Sequence, residues 1–588
     1  MVQTQRIYIW LLRFFGNNLR PGTQIVLLSM VIGLSVGLAA VALKTLLHWL
    51  EDSVLDVFPR FLLFFLPLIG VFLVAALNRS VFKLNQLETG LSGVLYSISR
   101  QNAFMNRTLM YAQLFLSSIT LAFGGSVGFE APMVVTGSAW GSNVARFFRL
   151  DFRQRTLLMG CGTAAGISAI FNAPIAGVIF AMEVILPEIT TARFIPILIS
   201  AAMGNLLSSL FIENEAIFRV AFVQPIGWQE VLFVLLLGAM GGIYAVLFSR
   251  TSMRTGKSLQ RIRVWWKKAL IGGLLLGTII YIFPPLYGEG YIGVRSLIGE
   301  EGAGLLQSAR IPGLAQRPAD ILLLLLGLLL LKPLAAALTI ESGGVGGKFA
   351  PSVVSGGYLG FAFAFGTNML LPFAQLNLVN FTLLGMAATL SGVMHAPLTA
   401  IFLIAEITGT YNLIVPLMLV SAMSYFIKVY FQPLSLVAGK LQKAGDLMHG
   451  DKDKQVLHDL DLGHFIEKDI LPIQSGSSLG ALVALIARCK RNIFPVLNAD
   501  GHLLGVILLD NIRQVMFERD KYDFVLVDDL MQRPPAEVAF GSSMEEVMEL
   551  FDRTDAWNLP VVNKGKYIGF ISKSAIFSAY REQLKGSS

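Results

Sequence analysis

A glycine-rich interruption between two apolar segments is the feature that most restricts how this chain can fold. It runs from Gly124 to Pro132 with the sequence GGSVGFEAP, and it places a single carboxylate, Glu130, in otherwise apolar surroundings. The interruption recurs from Gly343 to Pro351 as GGVGGKFAP, where Phe349 falls opposite Glu130. The repeat predicts two related halves, each containing a helix that breaks at glycines and starts again near a proline.

Apolar runs set the environment of these interruptions. The 588-residue chain is 54% hydrophobic and only 14% charged, whereas soluble domains carry about 25% charged residues. The runs Ile25–Leu43, Phe61–Leu77 and Ile321–Leu338 approach or exceed the roughly 18–20 residues that cross a bilayer. The composition therefore predicts a multi-pass membrane protein and excludes a large soluble domain.

A second pair of segments supports the duplication. Asn172–Glu183 aligns with His395–Glu406, so that proline matches proline and glutamate matches glutamate nine residues later. The two pairs are offset by nearly the same distance, 219 and 223 residues. We expect a first transmembrane half at 21–215 and a second at 225–438, of opposite orientation in the membrane.

Positive charge predicts the orientation. Seven lysines and arginines and no acid lie between Arg250 and Lys268, which places that loop in the cytoplasm by the positive-inside rule. Arg13 and Arg20 argue the same for residues 1–20, an expected amphipathic N-terminal helix. We expect an inner (plasma) membrane protein with both termini cytoplasmic, in contact with lipid and with no nucleic-acid partner despite the net charge of +8.

The C-terminal part has a different composition. A polar linker is expected at 439–463, followed by two similar segments at 464–520 and 521–584. Each predicts two short strands across a turn, with helices before them (Leu479–Ala487, Ser543–Phe551) and after them (Ile512–Glu518, Ser574–Glu582). The pattern resembles a tandem pair of CBS domains, a cytoplasmic α/β module that binds adenine nucleotides in some proteins. The nucleotide-binding pattern is half lost here, so we expect a structural or dimer-stabilising role and no required cofactor.

The chemistry of the interruptions points to an anion. A glycine-rich turn that leads into a helix presents unpaired backbone N–H groups at the positive end of the helix dipole, which binds anions without a full positive charge. The expected anion-binding residues are Gly128, Phe129, Glu130 and Ala131 in the first interruption, and Lys348, Phe349 and Ala350 in the second. Lys348 either raises the local positive potential or points to solvent. Both interpretations stay open.

Glu130 suggests a gate. An ionised carboxylate can occupy a site built for an anion and block it, and protonation would release it. The alternative is a structural glutamate paired with a nearby base, because acids within membranes also pair structurally.

These motifs resemble the CLC family of chloride channels and chloride/proton antiporters. The family's Gly-Arg-Glu-Gly-Pro motif corresponds to Gly128–Pro132, which keeps the gating glutamate, and its Gly-x-Phe-x-Pro motif is intact at Gly347–Pro351. The resemblance implies an all-α polytopic membrane domain, a CLC-like inverted repeat with discontinuous helices, assembled as a homodimer with one pore per subunit. It also implies that Ser92 coordinates the central anion and favours chloride over nitrate, with other small anions as possible substrates.

Two departures from the family bear on proton coupling. Val184 stands where many antiporters have a proton-relay glutamate, and the pore tyrosine expected after Pro433 is replaced by Ser435, Leu436 and Val437. Glu183 and Glu406 are expected to be structural acids at helix breaks.

The function expected from the sequence is chloride-selective transport, not enzymatic catalysis. The main prediction is channel-like or weakly proton-coupled conduction gated by Glu130. The alternative is coupled chloride/proton antiport. A different class, a nucleotide-sensing membrane receptor without transport, is also compatible with the CBS pair.

Overall fold

The computed structural model describes residues 21–57, 64–84, 90–186, 191–211, 218, 225–299, 318–437, 439, 462–489, 491–554 and 556–586. The chain divides into two compact units, Met1–Leu447 and Met448–Ser588. The expected N-terminal helix at 1–20 and most of the expected linker at 439–463 lie outside the described residues. The domain boundaries given above remain predictions.

The first half of the membrane unit contains eight α-helices in its described part. Its helices are α1 Pro21–Val57, α2 Leu66–Leu77, α3 Leu91–Arg100, α4 Ala112–Ala122, α5 Glu130–Phe147, α6 Phe152–Phe171, α7 Pro174–Phe180 and α8 Thr191–Phe211. Helices α2 and α7 each continue into a π-helical turn, at Asn78–Phe82 and Ala181–Ile185.

The second half repeats the series. Its helices are α9 Val231–Gln260, α10 Trp265–Ile282, α11 Tyr291–Ile298, α12 Pro318–Glu341, α13 Phe349–Leu370, α14 Leu378–Met394, α15 Pro397–Ile407 and α16 Ile414–Phe431. A short 3₁₀ turn, Pro284–Leu286, precedes α11.

Helix length separates spanning from broken elements. Seven helices in the described part of the chain are long and apolar enough to cross a membrane. Others are too short, among them α7 and α15, which both begin at a proline. Proline suits the first turn of a helix because its missing N–H would have no partner there. The fold class expected from the sequence, a polytopic helical domain with discontinuous helices, is confirmed.

Glycines allow the two halves to use the same helix crossing. Gly137 of α5 lies against Gly162 of α6 so closely that a Cβ on either residue would collide with the other's backbone. Gly356 of α13 and Gly385 of α14 approach each other in the same way. These pairs occupy matching positions in the repeat, so each broken helix α5 or α13 is held by the same backbone contact against its neighbour.

The second unit contains two three-stranded sheets, which confirms the α/β class of the C-terminal region. The first has β1 Ile473–Gln474 parallel to β2 Ile493–Leu497, which pairs antiparallel with β3 Leu503–Leu508. The second has β4 Val538–Ala539, β5 Asn558–Asn563 and β6 Lys566–Ser572 in the same arrangement. The helices of this unit are α17 Leu479–Ile486, α18 Leu509–Ile512, α19 Val527–Leu530, α20 Met544–Thr554 and α21 Lys573–Gly586.

One predicted helix of this unit is wrong in its bounds. The stretch Ile512–Glu518 is not one helix, because α18 ends at Ile512 and a 3₁₀ turn follows at Val515–Phe517. The Met516 carbonyl accepts a hydrogen bond from the Tyr522 hydroxyl at 2.8 Å. The hydroxyl of Tyr522, six residues later, therefore donates to a carbonyl that a continuing helix would bond with its own backbone.

Candidate functional site

The two glycine-rich interruptions are bonded to each other. The Gly128 N–H donates to the Gly347 carbonyl at 3.0 Å, and the Gly347 N–H donates to the Gly128 carbonyl at 2.7 Å. These reciprocal bonds place the start of α5 beside the start of α13. Two helix N-termini, with their unpaired N–H groups, therefore face the same small volume.

Two threonines hold the interruptions in a crossed arrangement. The Ser126 N–H of the first interruption donates to Thr339 Oγ1 in α12 at 3.1 Å. The Val345 N–H of the second donates to Thr120 Oγ1 in α4 at 3.0 Å. Thr120 and Thr339 occupy matching positions in the repeat. Each half thus supplies a threonine hydroxyl that accepts a hydrogen bond from a backbone N–H of the other half's interruption. These two bonds fix the starts of α5 and α13 relative to each other.

Glu130 lies where the two helix starts meet and is only 1% exposed. Its Oε1 accepts a hydrogen bond from the Tyr291 hydroxyl of α11 at 3.3 Å. The carboxylate also faces the backbone N–H groups of Glu130 itself and of Ala350, although Oε2 has no partner within hydrogen-bond distance. It lies over Gly128, so that a Cβ at that position would overlap Oε2. The gate candidate thus occupies the site that the sequence assigns to an anion.

Other predicted residues line the same junction. Phe349 is 1% exposed, and its ring contacts Phe171 of α6 and Phe180 of α7, with ring centroids 5.7 and 6.0 Å apart. Ala131, Ala350 and Lys348 are all buried. Phe129, which replaces the arginine of the CLC motif, is 9% exposed.

Ser92 is not hydrogen-bonded to Glu130 among the described residues. It is the second residue of α3, which packs against α5. Its side chain is half-buried. Its role in anion binding remains a prediction.

The two other intramembrane acids cap short helices across the repeat. Glu183 accepts hydrogen bonds from the backbone N–H groups of Leu398 (3.1 Å) and Thr399 (2.9 Å) at the start of α15. Glu406 accepts them from Ile175 (3.0 Å) and Ala176 (2.8 Å) at the start of α7. Both oxygens of each carboxylate are used by backbone, which is the arrangement of a helix cap. Val184, beside Glu183, is half-buried in the π-helical turn.

Lys332 is a site residue that the sequence analysis missed. Its side chain is fully buried in α12. Its ammonium donates to Ser126 Oγ at 2.9 Å and to the Gly288 carbonyl at 3.1 Å. It therefore ties the first interruption to the loop before α11. A lysine inside a run of leucines was a visible signal, because a charge at bilayer depth is costly without a partner.

Tyr291 and Glu289 were also missed. Tyr291 supplies the one hydroxyl that bonds Glu130 among the described residues. Glu289 lies two residues before it, and its Oε1 is buried without a hydrogen-bond partner. Gly290 and Gly293 match Gly90 and Gly93 at the start of α3, but Thr89 and Leu91 stand where Glu289 and Tyr291 would be. The repeat therefore gives no signal for these two side chains, and only the lone acid between glycines could have pointed to them.

Comparison with known proteins identifies the family of the chain. A family model described as voltage gated chloride channel matches residues 85–429, and a CBS domain model matches residues 527–582. The chain is 32% identical over 314 residues to a putative chloride channel protein ClcB-like of Ralstonia nicotianae, covering 53% of this chain and 69% of the relative. It is 28% identical over 415 residues to an H(+)/Cl(-) exchange transporter ClcA of Vibrio campbellii, covering 68% and 85%.

A solved structure has the same fold. The crystal structure of a eukaryotic CLC transporter superposes with a TM-score of 0.61 at 18% identity, covering 94% of this chain and 97% of that one. This likeness concerns the fold alone. With the family model matching more than half of the chain, this protein belongs to the CLC family of voltage-gated chloride channels and carries a CBS domain in its C-terminal unit.

Proposed function

We propose that this protein exchanges chloride for protons across a membrane, with Glu130 as the gate of the anion path. The observation that carries the proposal is the position of the Glu130 carboxylate. It is buried at the junction of two helix N-termini, with one hydroxyl partner and one oxygen without a partner.

The gate follows from competition between two anions for one site. The helix starts at α5 and α13 offer partial positive charge and backbone N–H groups. Ionised Glu130 fills that place and keeps chloride out. When Glu130 takes a proton, it no longer carries the charge that the helix ends attract, so it moves aside and chloride enters.

Partial charges suit transport better than a full charge in direct contact. Conduction needs binding that is strong enough for entry and weak enough for release. The ammonium of Lys332 is engaged by Ser126 and by loop carbonyls. It therefore adds positive potential near the junction without being the group that holds the ion.

Exchange is preferred to channel-like conduction on two grounds. The Vibrio relative is named as an exchange transporter, and Glu130 has further titratable groups around it, namely the buried Tyr291 and Lys332 and the half-buried Glu289. Channel-like conduction, the main prediction from the sequence, remains the second candidate. Val184 favours it, because a valine cannot relay protons.

Assembly, location and ligands of the CBS pair are part of the proposal. We expect a homodimer in the inner (plasma) membrane, with the basic segment 250–268 and both termini in the cytoplasm. For the CBS pair a structural role is preferred over adenine-nucleotide binding. In the stretch where nucleotide-binding CBS copies carry polar residues, after the glycine of the second strand, the candidates here are Asn511 and Ser572. The Ser572 hydroxyl donates to Glu467 at 3.0 Å and the Asn511 amide donates to Gln532 at 3.1 Å, so both side chains are already used within the protein.

Chloride efflux from liposomes tests transport itself. Liposomes that contain the purified protein and internal chloride should release chloride when an ionophore removes the charge imbalance, whereas protein-free liposomes should not. No release above the protein-free control, over the range from about pH 5 to about pH 7.5 in which a perturbed glutamate titrates, would favour a receptor without transport.

A further inference from the structure

Glu289 is a half-buried acid whose Oε1 is buried without a hydrogen-bond partner, and the gate mechanism gives it no role. It lies between Gly288 and Gly290, and both neighbours contact Lys332. The Gly288 carbonyl accepts from the Lys332 ammonium at 3.1 Å, and a Cβ added to Gly290 would lie 3.0 Å from the same nitrogen. Two residues further, Tyr291 bonds Glu130. Glu289 therefore lies in a segment whose neighbouring residues contact Lys332 and Glu130.

We call Glu130, Glu289, Tyr291 and Lys332 the gate cluster. Glu289 interacts electrostatically with Glu130 and with Lys332, and its carboxylate faces the backbone N–H of Phe129, the residue before Glu130. Both carboxylates are therefore influenced by the charge of the Lys332 ammonium, which is itself hydrogen-bonded to Ser126 and to the Gly288 carbonyl. Like charges resist ionising together, so a proton that one carboxylate releases can be taken up by the other.

Charged residues of α1 interact with this cluster. On α1, Glu51 and Lys44 both interact electrostatically with Glu289. Glu51 is half-buried and lies near the end of α1, a helix of 37 residues. Such a helix is about 55 Å long, which exceeds the roughly 30 Å of the hydrocarbon layer, so at least one of its ends extends beyond that layer.

Among the described residues, the titratable groups that interact with Glu289 come from four helices. They are Lys44 and Glu51 on α1, Glu130 on α5, Tyr291 on α11 and Lys332 on α12. The two lysines keep the region from accumulating negative charge, and the acids supply places for a proton.

We propose that Glu289 exchanges protons with Glu130, and that protons reach Glu289 from the end of α1 at Glu51. This step rests on the proposed function, because it supplies the proton that opens the gate. In the transfer, the Glu289 carboxyl loses a proton and the Glu130 carboxylate gains it. The charge of the pair is unchanged and no oxidant or reductant is involved. Glu289 is a positioning residue and proton carrier, since it acts on chloride only through Glu130.

Reconstituted full-length protein tests the step. In Glu289→Gln, chloride flux should persist, whereas proton flux per chloride should fall by about tenfold or more, because a positioned acid contributes at least that to a proton transfer. The pH at which chloride flux is half-maximal should move to a lower value. Glu51→Gln should reduce proton flux in the same direction, and unchanged proton flux in that variant would contradict entry from α1.

Two matched variants separate a proton role from a structural one. Glu341→Gln removes another buried acid, which packs against Gly256 of α9, and should leave the pH profile unchanged. Tyr291→Phe should alter the profile, whereas Tyr358→Phe, which removes a buried hydroxyl without a partner, should not.

Glu289→Asp keeps the carboxyl group and should recover much of the proton flux. Failure of Glu289→Asp to recover it would make Glu289 structural and overturn the inference, as would a wild-type pH profile in Glu289→Gln. If wild-type protein moves no chloride, the proposed function fails as well. If wild type transports and Glu130→Gln responds as expected while Glu289→Gln behaves like wild type, only this inference fails.

Discussion

The acids inside this membrane unit differ in how many hydrogen-bond partners their carboxylate oxygens have. Glu183 and Glu406 each have both oxygens bonded to backbone N–H groups at a helix start. Glu130 has a single hydroxyl partner and an oxygen without one. A carboxylate whose oxygens are all used stabilises a structure, whereas one that is incompletely bonded can change its charge and position at lower cost.

Glu130→Gln tests the gate at the level of one residue. Wild-type chloride flux should rise as the pH falls, because protonation removes the charge that holds Glu130 at the helix ends. Glutamine mimics the protonated side chain, so flux in the variant should be high and should change by less than about twofold between about pH 7.5 and about pH 5. Chloride efflux from liposomes at these two values measures the effect.

Glu341→Gln is the control for loss of a buried acid and should keep the wild-type pH dependence. A Glu130→Gln protein whose flux still rises with acidity as in wild type would show that another group gates the path.

Residues of the site differ in how far the sequence could predict them. The repeated interruption points to Glu130 as a candidate. The fold class, the family and the matched helix breaks follow from the same pattern. Tyr291 and Lys332 were missed because their roles depend on contacts across more than 150 residues of sequence. A repeat reveals what two halves share, but a partner contributed by one half alone requires the tertiary structure.

Short helices form the next level of organisation. Helices α7 and α15 start inside the membrane unit, where backbone N–H groups without partners are costly. Each start is capped by the glutamate at the end of the other half's matching segment, as Glu406 caps α7 and Glu183 caps α15. The caps therefore couple the two halves, and neither half can satisfy its own short helix.

Replacing either cap with glutamine should destabilise the membrane unit. Glu406→Gln loses a charged acceptor for two N–H groups and should lower the free energy of unfolding by about 1 kcal/mol. Glu183→Gln should lower it at least as much, because Glu183 also accepts from the Thr399 hydroxyl at 2.7 Å. Denaturant unfolding in detergent measures both.

Asp500→Asn is a suitable control for the caps. Asp500 is an exposed residue of the C-terminal unit, so the change should stay within about 0.5 kcal/mol. Wild-type stability in both cap variants would show that water or other groups satisfy these helix starts equally well.

Bounds of elements were less predictable than their existence. The proline-led helices α7 and α15 were expected from Pro174 and Pro397. The broken stretch Ile512–Glu518 was not, because the carbonyl of Met516 bonds Tyr522 and this contact has no local signal. Likewise the two-residue strands β1 and β4 are too short to show a period, and they form only by pairing with β2 and β5.

At the scale of the whole molecule, the duplication explains why one path needs both halves. The reciprocal Gly128–Gly347 bonds and the crossed Thr120 and Thr339 contacts place one helix start from each half at one junction. Only the first half contributes the carboxylate. In the proposed function, the symmetric arrangement of helix starts forms the anion site, and Glu130, which only the first half has, makes that site respond to protons.

Coupled flux in liposomes tests the central claim most directly. An imposed chloride gradient, with membrane voltage set by a potassium ionophore, should drive protons against their own gradient in wild-type protein, and Glu130→Gln should abolish that proton movement while chloride continues to flow. Uphill proton movement at a fixed ratio to chloride is the predicted result. Chloride flux without any uphill proton movement in wild-type protein would contradict exchange and leave channel-like conduction as the function.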